Sequence, residues 1–161
     1  MSLQLTEKEM QLLQDQQSHE KVCIEKYQKY AAQANAPQLK QLFQSYAQQE
    51  QQHLNTINSI LSGQVPMMNQ NQQQQQSTQS QPSQTANQTA APSANANPVD
   101  TMLCKDMLMT EKYVSGAYDT AIFEFTDTNI RQALNHIQKE EQKHGEGIFH
   151  YMSSNGMYNV Q

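Results

Sequence analysis

Positive charge is scarce and scattered in this chain. Ten Lys and Arg stand against fifteen Asp and Glu in 161 residues, giving a net charge of −5, and no run of basic residues occurs. A nucleic-acid partner is excluded on that ground, because a phosphate backbone calls for clustered cations. Long apolar runs are also missing. Nothing approaches the roughly 20 residues that span a bilayer, and the N-terminus lacks a basic-then-apolar secretory pattern. The expectation is a protein made in the cytoplasm, with no membrane segment. Cysteine is limited to Cys23 and Cys104, without CxxC spacing, so both read as small buried hydrophobes rather than as a disulfide or metal ligands. Hydrophobic residues make up only 36% of the chain. Much of that shortfall falls in one place: from Gln51 to Val99 there is no Asp, Glu, Lys or Arg.

Within that uncharged stretch, residues 64–98 are rich in Gln, Asn, Ser, Thr and Pro and include the run Gln72 to Gln76. Such a segment buries too little to offset its ordering entropy, so a disordered linker is expected. It would join two helical hairpins, 5–63 and 99–156, inside a single domain covering 1–161. The first helix opens with a capping box, Thr6 with Glu9 three residues on. Its apolar stripe runs through Leu13, Ile24, Tyr27 and Ala31 until Asn35-Ala36-Pro37 breaks it. The second carries Leu39, Phe43, Tyr46, Ile57 and Ile60 and stops at Ser62-Gly63. Pro98 and Asp100 open a third, with Leu103, Met107, Val114, Tyr118, Ile122 and Phe125. A polar turn, Thr126 to Asn129, leads to a fourth with Ile130, Leu134, Ile137, Ile148 and Tyr151, ended by Asn155-Gly156.

The two hairpins are copies. A shift of 91 positions, with no gap, pairs Leu12 with Leu103, Asp15 with Asp106, Glu20 with Glu111 and Tyr27 with Tyr118. It also pairs Gln41 with Gln132, Glu50 with Glu141, His53 with His144 and Ile57 with Ile148. The fold class expected is therefore all-α: a four-helix bundle made of two repeated hairpins joined by a long crossover.

Each copy holds a Glu on its first helix and Glu-x-x-His on its second: Glu20 with Glu50 and His53, then Glu111 with Glu141 and His144. Positions i and i+3 share a helical face, and the hairpin turn lies near the midpoint between the two Glu, so all come to one level. Every one of these carboxylates falls on an apolar stripe. A buried, unpaired carboxylate is too costly to keep charged, and no Lys or Arg lies on those stripes. Two divalent metal ions, iron or manganese, would neutralise the set, with Glu20 and His53 on one, Glu111 and His144 on the other, and Glu50 and Glu141 bridging. The competing reading is that a lone Glu-x-x-His is a solvated helical face and that duplication alone explains the matched residues. Tyr27 and Tyr118 lie two turns beyond the first-helix Glu. They either hydrogen-bond a ligand from behind, across the bundle, or are amphipathic core tyrosines. His19, His136 and His150 read as surface residues, and Glu124 with Arg131 as a structural pair at the second turn.

The Glu…Glu-x-x-His repeat, with its trailing Tyr, resembles the ferritin-like superfamily of ferritins, bacterioferritins and rubrerythrins. More narrowly, residues 100–161 resemble the spore coat protein F family. The residues that carry the likeness are Asp106-Met107-Leu108-Met109-Thr110-Glu111-Lys112, Tyr118, Glu124, Arg131, Glu140-Glu141-Gln142, Met152 and Gly156-Met157-Tyr158. Met157 stands where that family's closing Gly-Trp-Tyr pattern has Trp. The resemblance implies a ferritin-like bundle in the spore coat with a structural or assembly role, other coat proteins as partners, and self-association as an option. The alternative is an oxidase, peroxidase or catalase-like enzyme of the di-iron or di-manganese kind that protects the spore.

Overall fold

The computed structural model describes residues 3–67 and 96–158. Four α-helices account for most of them: α1 (Glu7–Gln33), α2 (Pro37–Leu61), α3 (Pro98–Glu124) and α4 (Thr128–Ser154). No strand occurs among the described residues. The expected Gln-rich linker lies mostly outside them. Of it, 64–67 and 96–97 are non-helical, and Pro98 is already the first residue of α3.

The repeat read from side chains is repeated in the backbone. Both first helices are 27 residues long and start 91 positions apart, at Glu7 and Pro98. Their N-caps, Thr6 and Asn97, are equivalent positions, and each side chain accepts from backbone N–H groups of the first turn. The second helices also start 91 apart, at Pro37 and Thr128. The polar turn before α4 is shorter than expected. Asp127 accepts from the N–H groups of Asn129 and Ile130, 2.8 and 3.1 Å away, so Thr128 and Asn129 are drawn into the first helical turn. Both second helices end on glycine at positive φ, Gly63 at 85° and Gly156 at 67°. In each, the residue after the glycine bonds back five positions, Gln64 to Ser59 and Met157 to Met152, which is the Schellman closure that only glycine enters freely.

The hairpins pack with α1 beside α2 and α3, and with α4 beside α3 and α2. Cross-links between α1 and α3 fix an antiparallel register. Lys26 meets Asp106 at 2.8 Å, the Tyr30 hydroxyl donates to Asp106 at 2.6 Å, and Lys8 meets Glu124 at 2.7 Å. Glu124 is thus taken by Lys8 of the other hairpin rather than by Arg131, because antiparallel packing lays the start of α1 along the end of α3. With α2 ending at the Glu9 end of the bundle and α3 starting at the opposite end, the α2-to-α3 connection is a crossover along its length. The core falls into two clusters. One gathers Leu13, Ile57, Ile60, Ile122, Phe125 and Ile130 around the α3–α4 turn. The other gathers Ala34, Leu39, Phe43, Leu103, Met107 and Met152 around the α1–α2 turn. Cys23 and Cys104 are free and fully buried, one in each cluster.

Each hairpin also ties down the turn of the other. Glu9, buried at 3% exposure, completes the α1 capping box and accepts from the Thr126 backbone at 3.0 Å. Its equivalent Asp100, at 1% exposure, accepts from the N–H groups of Asn35 and Ala36 at 2.7 and 2.9 Å. Burial pushes the Glu9 pKa upward, but the hydrogen bonds from Thr6 and Thr126 outweigh it and leave the carboxyl below its ordinary value. These two acids clamp the hairpins at both ends in one register. Asp100→Ala removes the buried acceptor of two part-buried turn N–H groups, so it should cost about 1–3 kcal/mol in urea denaturation. An exposed acid such as Glu146 replaced by Ala should cost under about 0.5 kcal/mol in the same assay.

Candidate metal centre

Between the two apolar clusters the bundle buries six ionisable side chains. Glu20, Glu50, Glu141, Glu111, His53 and His144 are each 2% exposed or less, so the stripe that the sequence placed inward is inward. Their atoms fall into two quartets. Glu20, Glu50, His53 and Glu141 present ligand atoms all within 4.8 Å of one another, as do Glu50, Glu111, Glu141 and His144. Glu50 and Glu141 belong to both. Each helix contributes at least one member, and the equal 30-residue spacing in the two hairpins sets all six at one height.

Both imidazoles turn Nδ1 toward the carboxylates. His53 Nδ1 lies 3.0 Å from Glu50, 3.2 Å from Glu141 and 3.8 Å from Glu20. His144 Nδ1 lies 3.1 Å from Glu50, 3.5 Å from Glu111 and 3.6 Å from Glu141. The outer nitrogens have partners that the sequence reading missed. His53 Nε2 is 2.6 Å from Glu140, and His144 Nε2 is 2.6 Å from Gln49. These partners are equivalent positions of the repeat, each one residue before the shared Glu. That adjacency is the only signal the sequence offered, because a helix turns neighbouring residues to different faces. His136, read as a surface residue, is half-buried and lies 3.3 Å from the other oxygen of Glu140.

Tyr27 and Tyr118 reach across to the opposite hairpin: Tyr27 donates to Glu111, and Tyr118 donates to Glu20. Both are fully buried. Tyr46 stacks on His144, with centroids 4.3 Å apart. Its hydroxyl rests against Gly147, where any Cβ would collide with it. The tyrosines and the outer partners leave four carboxylate oxygens buried with no hydrogen-bond donor: Oε2 of Glu20, Oε2 of Glu111 and both oxygens of Glu141. An orphaned buried oxygen is costly, and four of them face the centre of the cluster.

The protonation pattern follows from this crowding. Burial raises the Glu20 carboxyl well above its ordinary range, and the charges of Glu141 and Glu50 raise it further. Burial likewise lifts Glu111 to about 7, although His144 pulls it down. Glu50 and Glu141 are also pushed upward by burial, but the two imidazoles close beside them hold them below the usual value. Burial opposes a charge on the imidazoles. The carboxylates outweigh it, raising His53 well above its ordinary value through Glu140, Glu141 and Glu50. His144 rises to about 11 through Glu111, Glu141 and Glu50. When only protons are available, the carboxylates thus favour the charged form of both imidazoles. Burial carries the Cys23 thiol far above its usual pKa, which leaves it inert beside the cluster.

Residues 99–161 match the family model described as the Coat F domain, which covers α3, α4 and the segment after them. No curated protein and no solved structure matches the chain. No helix among the described residues is long and apolar enough to cross a membrane.

The imidazole shifts set a pH dependence for the chelator-treated protein. A His whose pKa is raised on folding contributes stability that is full below its unfolded value, about 6.5, and is lost as pH climbs toward the folded value. For His144 that window runs from about 6.5 to about 11. The melting midpoint in chelator should therefore fall from pH 7 to pH 10, on the order of 5–10 °C. A flat profile over that range in a calorimetric scan would show that the imidazoles are not held as cations by the cluster.

Proposed function

We propose that this chain, whose residues 99–161 carry a Coat F domain, is a spore-coat-associated, ferritin-like bundle that holds two divalent metal ions. One observation carries the metal reading: two buried quartets of oxygen and nitrogen donors share Glu50 and Glu141, and four carboxylate oxygens among them accept no hydrogen bond. Four carboxylates balance two divalent ions in charge, and mixed carboxylate–imidazole donors suit iron or manganese.

In this reading Glu20 and His53 hold one ion, Glu111 and His144 hold the other, and Glu50 and Glu141 bridge. Each Nδ1 faces the carboxylates and would exchange its contact with Glu50 for the metal, while Glu140 and Gln49 occupy the outer nitrogens and set the orientation of each ring. Tyr27 and Tyr118 steady the terminal carboxylates Glu111 and Glu20 by donating to them. The bound ions supply Lewis acidity and one-electron redox capacity.

The role in the coat is structural or assembly-related. The Coat F domain supports it, and so does the outer face of α3. Met102, Met109, Tyr113 and Phe123 are 62–77% exposed, on the side opposite the buried Leu103, Met107, Val114 and Tyr118. Large apolar side chains on an outer side favour a cover, and other coat proteins or a second copy of this chain could supply it. The second reading, a protective di-iron or di-manganese oxidase, peroxidase or catalase-like enzyme, is favoured by a cavity whose lining includes Glu111 and Glu141.

Elemental analysis of protein from metal-replete cells should find about two iron or manganese ions per chain. Glu141→Leu should remove both ions, lower the midpoint of metal-treated protein, and leave the chelator-treated protein at least as stable, because a leucine replaces a buried charge. Metal content near zero in wild-type protein, with no midpoint change on adding iron or manganese, would end the reading. The unequal outer partners give a finer expectation. Glu140→Gln should weaken one ion by about 10–100-fold in a metal titration and spare the other. An equal loss at both positions would mean that Glu140 acts on the fold instead.

A further inference from the structure

The hairpins are copies, yet among the described residues it is the second that carries a cavity bordered by Glu111 and Glu141. A cavity of about 580 Å³ between α3 and α4 is lined by Leu108, Ser115, Gly145, Phe149 and Tyr158 and reaches Glu111 and Glu141. At the positions equivalent to Ser115 and Gly145 the first hairpin carries Ile24 and Leu54, both buried, at 9% and 8% exposure. A hollow in the first hairpin, lined by residues such as Gln28, Ala31, Lys40 and Gln51, touches none of the six. The space on the second hairpin is thus the volume that an isoleucine and a leucine fill on the first.

Gly145 sits inside α4, where glycine weakens a helix relative to alanine. Packing does not demand it. A Cβ there would meet Leu108 Cδ1 at 3.7 Å and Glu111 Cβ at 3.9 Å, ordinary contact distances, and φ is not positive. Gly147, by contrast, is required by the Tyr46 hydroxyl. What Gly145 provides is open space above Glu111.

Resting on the di-metal reading, we propose that this cavity is the route by which a small uncharged molecule of a few heavy atoms reaches the position held by Glu111 and His144, while Ile24 and Leu54 close the position held by Glu20 and His53. The walls choose the class of molecule. Leu108, Phe149 and Tyr158 cannot solvate an ion, and the Phe149 and Tyr158 rings pack edge-to-face with centroids 5.1 Å apart. Glu111, Glu141 and Glu146 on the lining outnumber its one cation, Lys112, so an anion is disfavoured.

Nitric oxide, small and uncharged, is the probe. Ferrous-loaded full-length protein is mixed with it anaerobically, and the iron–nitrosyl signal is followed by stopped-flow absorbance and electron paramagnetic resonance, with iron content measured on the same samples. In wild-type protein about half of the iron should react in a fast phase. The double variant Ser115→Ile, Gly145→Leu, which copies the first hairpin, should slow that phase at least tenfold with iron content unchanged. Gly145→Ala, whose added carbon fits without a clash, should slow it about two- to threefold and serves if the double variant does not fold. The reverse variant, Ile24→Ser with Leu54→Gly, should bring the remaining iron into the fast phase. Wild-type rates in the blocked variants at equal iron content would overturn the route while leaving the metal centre standing. Absence of bound iron in wild-type protein would overturn the metal reading, and the route with it.

Discussion

Four carboxylates and two imidazoles are held in the middle of a helical bundle, and the rest of the structure is arranged around that burden. The cluster divides the apolar core into two parts, one around each hairpin turn. It also sets a tolerance. Atoms from four helices must meet within a few ångströms, so a slip of one helical turn in either hairpin would bury charges without partners. The clamps at the bundle ends answer that demand. Glu9 and Asp100 each hold the turn of the other hairpin through backbone N–H groups, which fixes register more rigidly than an exposed ion pair such as Lys8–Glu124 can.

The arrangement is symmetric in its acids and asymmetric in what surrounds them. The shift of 91 carries every member of the six onto its counterpart. It also carries Thr6 onto Asn97 and Glu9 onto Asp100, where the residue type changes and the hydrogen-bonding duty does not. Around the cluster the copies part company. Glu140 backs His53 where Gln49 backs His144, Tyr46 stacks on His144 where the counterpart position holds Ile137, and Gly145 stands opposite Leu54. A carboxylate behind an imidazole makes that ring a stronger donor than an amide does. The two halves of the centre are therefore chemically unequal although they are built from the same residues.

α3 links this centre to the exterior. Its inner face supplies Glu111 and Tyr118, and its outer face presents Met102, Met109, Tyr113 and Phe123 to solvent. A partner docked on that face would lie one helix away from the buried carboxylates. The Coat F match includes this helix.

Helices, their caps and their inward stripes were legible in the sequence, because each rests on neighbours three or four positions apart: the Thr6–Glu9 box, Pro37 at a helix start, Gly63 and Gly156 at helix ends. Duplication made the six cluster residues legible too, since equal spacing about equal turns forces them to one level. What could not be read were interactions between helices at positions that no local rule singles out. Glu140 behind His53, the Glu9 and Asp100 clamps, and the pairing of Glu124 with Lys8 all depend on the register between hairpins. Which hairpin leaves space over its carboxylates was also undecided, although Gly145 and Leu54 were both in plain view. A void is set by the side chains that border it from several helices at once, and those neighbours are chosen only when the bundle closes.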